Sequence, residues 1–184
     1  MKLETKRLVL RDLEDKDVKR LPELVNDLDV SRYLSVVPYP YRVKEAKWFI
    51  KHSKEKSKNK PRDDYTFGII LKETNELVGC IGLSDVNDWN KKAELGYWLA
   101  KKYWGQGIMF EAVQRMLKFT FSELRLERLD INADVKNVAS NKLIKKIGAT
   151  FEGTARKNVR AKSTGKYGDS NRYGLLKENW RKKK

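Results

Sequence analysis

The sequence predicts a mixed α/β domain: a mostly antiparallel sheet of about seven strands, one parallel pair within it, and four flanking helices. Three observations carry this. Two strand-like runs, residues 65–71 and 77–83, are joined only by Lys72-Glu73-Thr74-Asn75-Glu76, and so short a connection implies antiparallel pairing. The stretch from 108 to about 121 sets Ile108, Met109, Ala112, Val113, Met116, Leu117, Phe119 and Phe121 at helical spacing, the strongest helix signal in the chain. A strand-like run, residues 93–99, precedes that helix, and residues 129–135 alternate apolar and polar after it. Strand, helix, strand in that order makes a parallel crossover.

The other elements follow in chain order. Arg7-Leu8-Val9-Leu10-Arg11 reads as a short strand. Residues 12–26 read as a helix with Val18, Leu21, Leu24 and Val25 on its apolar face. Residues 30–41 are irregular, with Pro38 and Pro40 close together, and a second helix covers about 43–56. The lysine-rich run 51–62 reads as a solvated helix end and loop. Residues 84–90 are turn formers ahead of the third central strand, 93–99. Cys80 falls among Val78, Ile81 and Leu83, where a buried, inert thiol is expected. A helix over 138–147 starts behind Asn137, a plausible N-cap, and stops at Gly148. Residues 151–160 and 166–176 form a final strand pair around Ser163-Thr164-Gly165. Residues 1–180 are expected to be one domain, and 181–184 a frayed basic tail.

Composition narrows the function. The chain has 184 residues, 40% of them hydrophobic and 10% aromatic, enough to bury a core. No apolar run approaches the roughly 20 residues of a membrane span, and the charged N-terminus lacks a signal-peptide core, so a cytoplasmic protein is expected. With one cysteine and one histidine, His52, no internal disulfide, histidine-based metal site or Ser-His-Asp triad is expected. The net charge is +16, and residues 136–184 carry 15 Lys+Arg against 3 Asp+Glu. Such a field attracts polyanions: nucleic acid, a phosphate-rich cofactor or an acidic protein. A lysine-rich solubility surface is the plain alternative.

The chemistry centres on Tyr103-Trp104-Gly105-Gln106-Gly107-Ile108-Met109. Two glycines just before a helix allow several N–H groups to face one point, and the helix N-terminus adds unpaired donors and a partial positive charge there. This is a seat for phosphate.

On these residues the chain resembles the GNAT acetyltransferases, and within them the group of the ribosomal-protein N-terminal acetyltransferases. Glu94-Leu95-Gly96-Tyr97-Trp98-Leu99 is similar to the family's splayed strand. Lys102-Tyr103-Trp104-Gly105-Gln106-Gly107 resembles its pyrophosphate loop, with Lys102 where Gln or Arg is usual. Lysine keeps the charge but loses the bidentate fork. Asn137-Val138-Ala139-Ser140, running on to Lys146-Ile147-Gly148, resembles its Asn-x-x-Ser helix. Thr5 to Arg11, and Glu152-Gly153 with Arg156, Asp169 and Tyr173, also follow the group's pattern, so the likeness covers nearly the whole chain.

The resemblance implies a GNAT fold whose parallel pair splays around acetyl-CoA, with no metal. The N–H groups from Trp104 to Ile108 would grip the pyrophosphate. The pantetheine arm would lie along Trp98 and Leu99 like an added strand, with Asn137 on its other side. Lys102, Gly105, Gln106, Gly107, Met109, Asn132 and Lys145 complete the cofactor-binding set. Glu94 is the implied general base, with an ordinary cross-strand partner for Lys or Arg as its alternative. Ser140 would protonate the leaving thiolate, and a helix-start serine is its alternative; Asn137 has the N-cap as its own. A backbone N–H near Leu99 would meet the oxyanion. No covalent acyl-enzyme is expected.

The acceptor suggested by the resemblance is the N-terminal amine of a ribosomal or acidic protein. Such an amine has a pKa near 8, so roughly a tenth is neutral at pH 7, far more than of a lysine. A small amine stays open, although the cationic surface disfavours polyamines. The rival is a basic nucleic-acid-binding module that keeps the fold without activity. Contact with nucleic acid is otherwise expected to be incidental, through the ribosome or the basic surface. No membrane partner is expected, and the chain is expected to act as a monomer or homodimer.

Overall fold

The computed structural model describes residues 1–181. Eight strands form one sheet in the order β1-β2-β3-β4-β5-β6-β8-β7. They are β1 (Lys2–Glu4), β2 (Leu8–Asp12), β3 (Tyr65–Leu71), β4 (Leu77–Asn87), β5 (Lys92–Leu99), β6 (Arg128–Asp134), β7 (Thr150–Arg160) and β8 (Tyr167–Leu176). The helices are α1 (Arg20–Val25), α2 (Leu28–Ser31), α3 (Val43–Lys56), α4 (Ile108–Lys118), α5 (Val138–Ile147) and α6 (Lys177–Arg181). Every neighbouring pair of strands is antiparallel except β5 with β6.

The sheet has a core on each face, as alternation along its strands demands. Phe67, Ile69, Ile81, Leu95 and Ile131 meet Ala112, Val113 and Met116 of α4 and Ile144 of α5 on one face. Ile70, Leu77 and Cys80 meet Leu21, Leu24, Ala46 and Ile50 on the other. Burial pushes the Cys80 thiol well above its ordinary value, so it is the inert thiol expected.

Several parts differ from the sequence reading: β4 runs on to Asn87 through residues expected to be turn formers, and α2 and α6 are short helices where none was expected. β1 was missed because Leu3 is its only apolar residue, too little for a period to show. The helix expected over 12–26 is broken into a 3-10 turn (Asp15–Val18) and α1. Pro22 explains the break: it has no N–H to give to the Val18 carbonyl, and its ring crowds that carbonyl. Arg181, expected in a frayed tail, ends α6. Residues 182–184 lie outside the described residues.

The break is stabilised by a buried ion pair. The Asp17 carboxylate accepts from Arg11 Nη1 and Nη2 at 2.7 and 2.9 Å and from the Glu14 N–H at 2.8 Å. Burial alone would raise the Asp17 pKa; the Arg11 and backbone donors outweigh it and hold the carboxyl below its usual range. Because the folded-state pKa is depressed, the stability this pair contributes is full above the unfolded carboxyl's pKa of about 3.9 and fades as pH falls below it. Asp17→Ala is expected to lower stability by about 3 kcal/mol at pH 7, by leaving the largely buried Arg11 guanidinium with only the half-exposed Glu14 carboxylate, 3.4 Å from Nε, as its ionic partner. Urea melts at pH 7 and pH 3 check this: the difference between variant and wild type shrinks at the lower pH.

Candidate active site

The parallel pair is short. β5 and β6 are in register only at Lys92↔Arg128, Ala93↔Leu129 and Glu94↔Asp130. β5 continues to Leu99 and β6 to Asp134 without pairing to each other, so a slot opens between them. Ala100 N–H donates to Val78 O at 3.0 Å on the β4 side. By the alternation of an antiparallel ladder, Trp98, Gly96 and Glu94 then bond to β4, while the peptide groups of Leu99, Tyr97 and Leu95 turn to the slot. The Trp98 backbone therefore faces Cys80 on β4 and that of Tyr97 faces the slot, while the Trp98 side chain lines the cavity. The Leu99 carbonyl accepts from Trp104 Nε1 at 2.7 Å, and its N–H looks into the slot.

β5 and β6 each run into a helix N-terminus at the same end of the parallel pair, where crevices of α/β sheets form. After β5, Gly105 and Gly107 take φ of +74° and +73°, a region that strains any other residue, and α4 starts directly behind them. Among the described residues, the N–H groups of Gly105 to Phe110 find no acceptor. Trp104 is the exception to the expected grip: its N–H already donates to Lys101 O at 3.0 Å. Lys102 is exposed, its ammonium 4.8 Å from the centre of the Tyr103 ring.

A residue the sequence reading passed over sits beside this loop. Arg7 donates from Nη1 to Gln106 O at 3.1 Å and from Nε to Glu111 Oε2 at 2.6 Å. Thr5 Oγ1 and the Arg7 N–H donate to Glu111 Oε1 at 2.6 and 2.8 Å. Burial raises the Glu111 pKa, but these donors outweigh it and keep the carboxyl below its usual range. The segment ahead of β2 thus braces the glycine loop and brings a guanidinium to it.

After β6, α5 opens with Asn137 as N-cap, its Oδ1 accepting from Ser140 N–H at 3.1 Å. Ser140 Oγ lies 2.9 Å from the Tyr97 hydroxyl across the slot. Burial raises the Tyr97 pKa to about 12 in spite of that hydrogen bond. Asn141 ties the helix down: Nδ2 donates to Asp134 O and Asn137 O at 2.9 and 2.8 Å, and Oδ1 accepts from Asn171 and Tyr173 at 2.9 and 2.7 Å. A polar residue three positions before buried Ile144 and six before buried Ile147 was the available signal for it.

A cavity of about 1700 Å³ reaches through the slot to the opposite face of the sheet. Asn137, Ser140 and Tyr97 line it on the α5 face of the sheet; Glu94, Asn132, Asp64, Trp98 and Trp48 line it on the other, since Asn132 alternates with Ile131 and Ala133. Asp64, Ser84 and Glu94 stand in one row across β3, β4 and β5, from the registers Tyr65↔Leu83 and Ser84↔Glu94. Lys145, in the last turn of α5, is exposed and, like the glycine loop, does not line this cavity. The turn between β7 and β8 crosses the cavity mouth, with Lys162 N–H donating to Ser35 O at 3.2 Å and Ser163 Oγ to Ser31 O at 3.0 Å.

Residues 7–150 match the family described as Acetyltransferase (GNAT) domain. The chain belongs to the GNAT acetyltransferases. This GNAT protein is accordingly an acyltransferase. It is 32% identical to the uncharacterized N-acetyltransferase p20 of Bacillus licheniformis, over 97% of each chain. With the ribosomal-protein-serine acetyltransferase of Escherichia coli (strain K12) it shares 36% identity over 46% of its own length and 47% of the relative's. Its fold matches RimL, a ribosomal L7/L12 alpha-N-protein acetyltransferase solved with coenzyme A, with a TM-score of 0.84 over 96% of this chain and 98% of that one; at 23% identity the likeness is one of fold. Among the described residues of the GNAT chain no helix is long and apolar enough to cross a membrane.

Asn141→Ala is expected to lower the stability of this GNAT domain by about 1–3 kcal/mol, because the buried Tyr173 hydroxyl and the Asn171 amide lose their acceptor. Urea unfolding followed by tryptophan fluorescence measures it.

Proposed function

We propose that the chain transfers the acetyl group of acetyl-CoA directly to the α-amino group of a protein N-terminus, in a ternary complex. The observation that carries this is the slot. Strands that part after three paired residues leave an unpaired edge, with free amides at one end and a carboxylate in the cavity beyond.

Acetyl-CoA fits the residues present. The unpaired amides from Gly105 to Phe110 and the α4 N-terminus suit its pyrophosphate. The peptide group of Tyr97 suits its amide-bearing arm, and Asn132 and Asn137 line the other side. Its thioester supplies the activated acetyl group. Glu94, from the far side of the sheet, accepts the proton of the attacking amine. The Leu99 N–H meets the charge that develops on the carbonyl oxygen. Ser140, at the positive end of α5, donates to the departing sulfur.

The bridge from Ser31 and Ser35 to Lys162 and Ser163 supports a chain end as acceptor. It closes over the cavity mouth, and a terminus threads under such a bridge where a side chain in mid-chain brings two flanking strands of peptide. The ribosomal-protein acetyltransferases among the similar proteins support the same reading, as does the cationic surface, which suits an acidic protein. The compartment that fits is the cytoplasm.

Titration calorimetry with CoA is expected to show 1:1 binding, and no heat at millimolar CoA overturns the proposal. Glu94→Gln and Ser140→Ala are each expected to lower kcat by about 10²- to 10⁴-fold with CoA affinity retained, as loss of a positioned base or acid does. Thiol release from acetyl-CoA with peptides beginning Ala, Ser or Met measures both.

A further inference from the structure

One wall of the cavity mouth is apolar and unused inside the protein. On α3, Ala46, Ile50 and Ser53 turn to the core, while Trp48 and His52, one turn apart, point elsewhere. Their rings stack with centroids 4.9 Å apart and planes 6° from parallel. Trp48 lines the cavity yet stays 63% exposed. Val36, 71% exposed, and Val37 line the same mouth from the loop after α2. Adjoining exposed apolar side chains at a cavity rim mark a recognition surface, where a single exposed side chain would not.

The floor inside this wall is bare. Gly96 stands two residues from Glu94, on the same face of β5. A Cβ built there meets nothing within 4 Å, and its φ lies outside the left-handed region, so neither packing nor backbone requires glycine. Its effect is to clear room beside Glu94. Lys136, Lys162 and Lys166 also line the cavity, together with Asp134 and Asp169, and the Lys162 N–H donates to Ser35 O, next to Val36. An entering ligand thus meets an aromatic wall, lysines interspersed with carboxylates, and a bare floor beside Glu94.

We propose that the Trp48 wall is a subsite for a large apolar side chain carried by one of the acceptor's first two residues, ahead of acidic residues that meet the cavity lysines. This rests on the N-terminal acceptor reading above and names the peptide class it takes. These chemistries complement such a peptide: amine at Glu94, short backbone over the glycine, apolar group on the indole, anions at the lysines. A polyamine matches neither the wall nor the lysines.

The test is steady-state acetylation of two peptide sets with a common acidic tail. One begins with Ser and carries Gly, Ser, Leu or Phe second; the other carries Gly second behind Ala, Met or Phe. In one set the apolar residue is expected to raise kcat/KM by at least about tenfold over its small counterpart, the effect of burying one such side chain. Trp48→Ala, a surface change, is expected to collapse that ratio to about threefold or less, Trp48→Phe to keep most of it, and CoA calorimetry shows that both variants are folded. A flat panel, or a preference that survives Trp48→Ala, overturns the subsite. If CoA binds and no peptide is acetylated, the N-terminal acceptor reading fails and the subsite with it.

Discussion

The structure depends on a parallel pair that stops pairing. β5 is bonded along its β4 edge from Glu94 to Ala100, and β6 is bonded to β8 from Arg128 to Asp134. Both strands are therefore held on their outer sides, and the gap between them is a fixed opening rather than a frayed end. Backbone groups away from water need partners, so an edge left open inside a domain is ready for an extended guest. Only a ligand with its own amide groups satisfies such an edge, which is why a slot suits a pantetheine arm better than a purely apolar tail.

Fixing that opening draws on residues far apart in sequence. Arg7 and Thr5 reach Glu111 and the Gln106 carbonyl, so the first turn of α4 is braced by chain that precedes β2. Asn141 does the corresponding work for α5, tying it to the end of β6 and to β8. Both helix N-termini are thus aimed into one crevice by hydrogen bonds that leave the loop amides free. The rigidity has a chemical use: dipoles fixed before the reaction need not reorganise during it.

Much of this was legible in the sequence, and what was not has a common cause. α3 and α5 carry their period and their stops on their own residues, and the reading of 43–56 and 138–147 matches both. The glycine loop was legible because a φ near +74° leaves a chemical trace, the glycine itself. What escaped depends on partners distant in the chain. Tyr97 and Trp98 look equivalent in a strand, and only the Ala100–Val78 hydrogen bond decides which of them faces the slot. Arg7 looked like an ordinary strand-flanking cation until its guanidinium was placed beside Gln106. Pro22 was readable as a helix breaker; the apolar spacing of Leu21, Leu24 and Val25 masked it, because those residues do share a buried face.

The charge distribution completes the chemical argument. A net charge of +16 is at odds with a site that must receive an amine, since it repels the protonated form. That repulsion is useful once the amine is inside. Nearby cations disfavour a second positive charge, so the field of the lysine-rich surface pushes the acceptor toward its neutral, nucleophilic form. An α-amine with a pKa near 8 needs only a small push, whereas a lysine near 10.4 needs a much larger one. On the proposed reading Glu94 acts in the opposite sense at short range, drawing the ammonium in and then taking its proton. The cavity wall carries the carboxylates of Glu45, Asp64, Glu94, Asp134 and Asp169 among its basic side chains, so on that reading it is the amine's own basicity that favours the weaker base, a chain terminus.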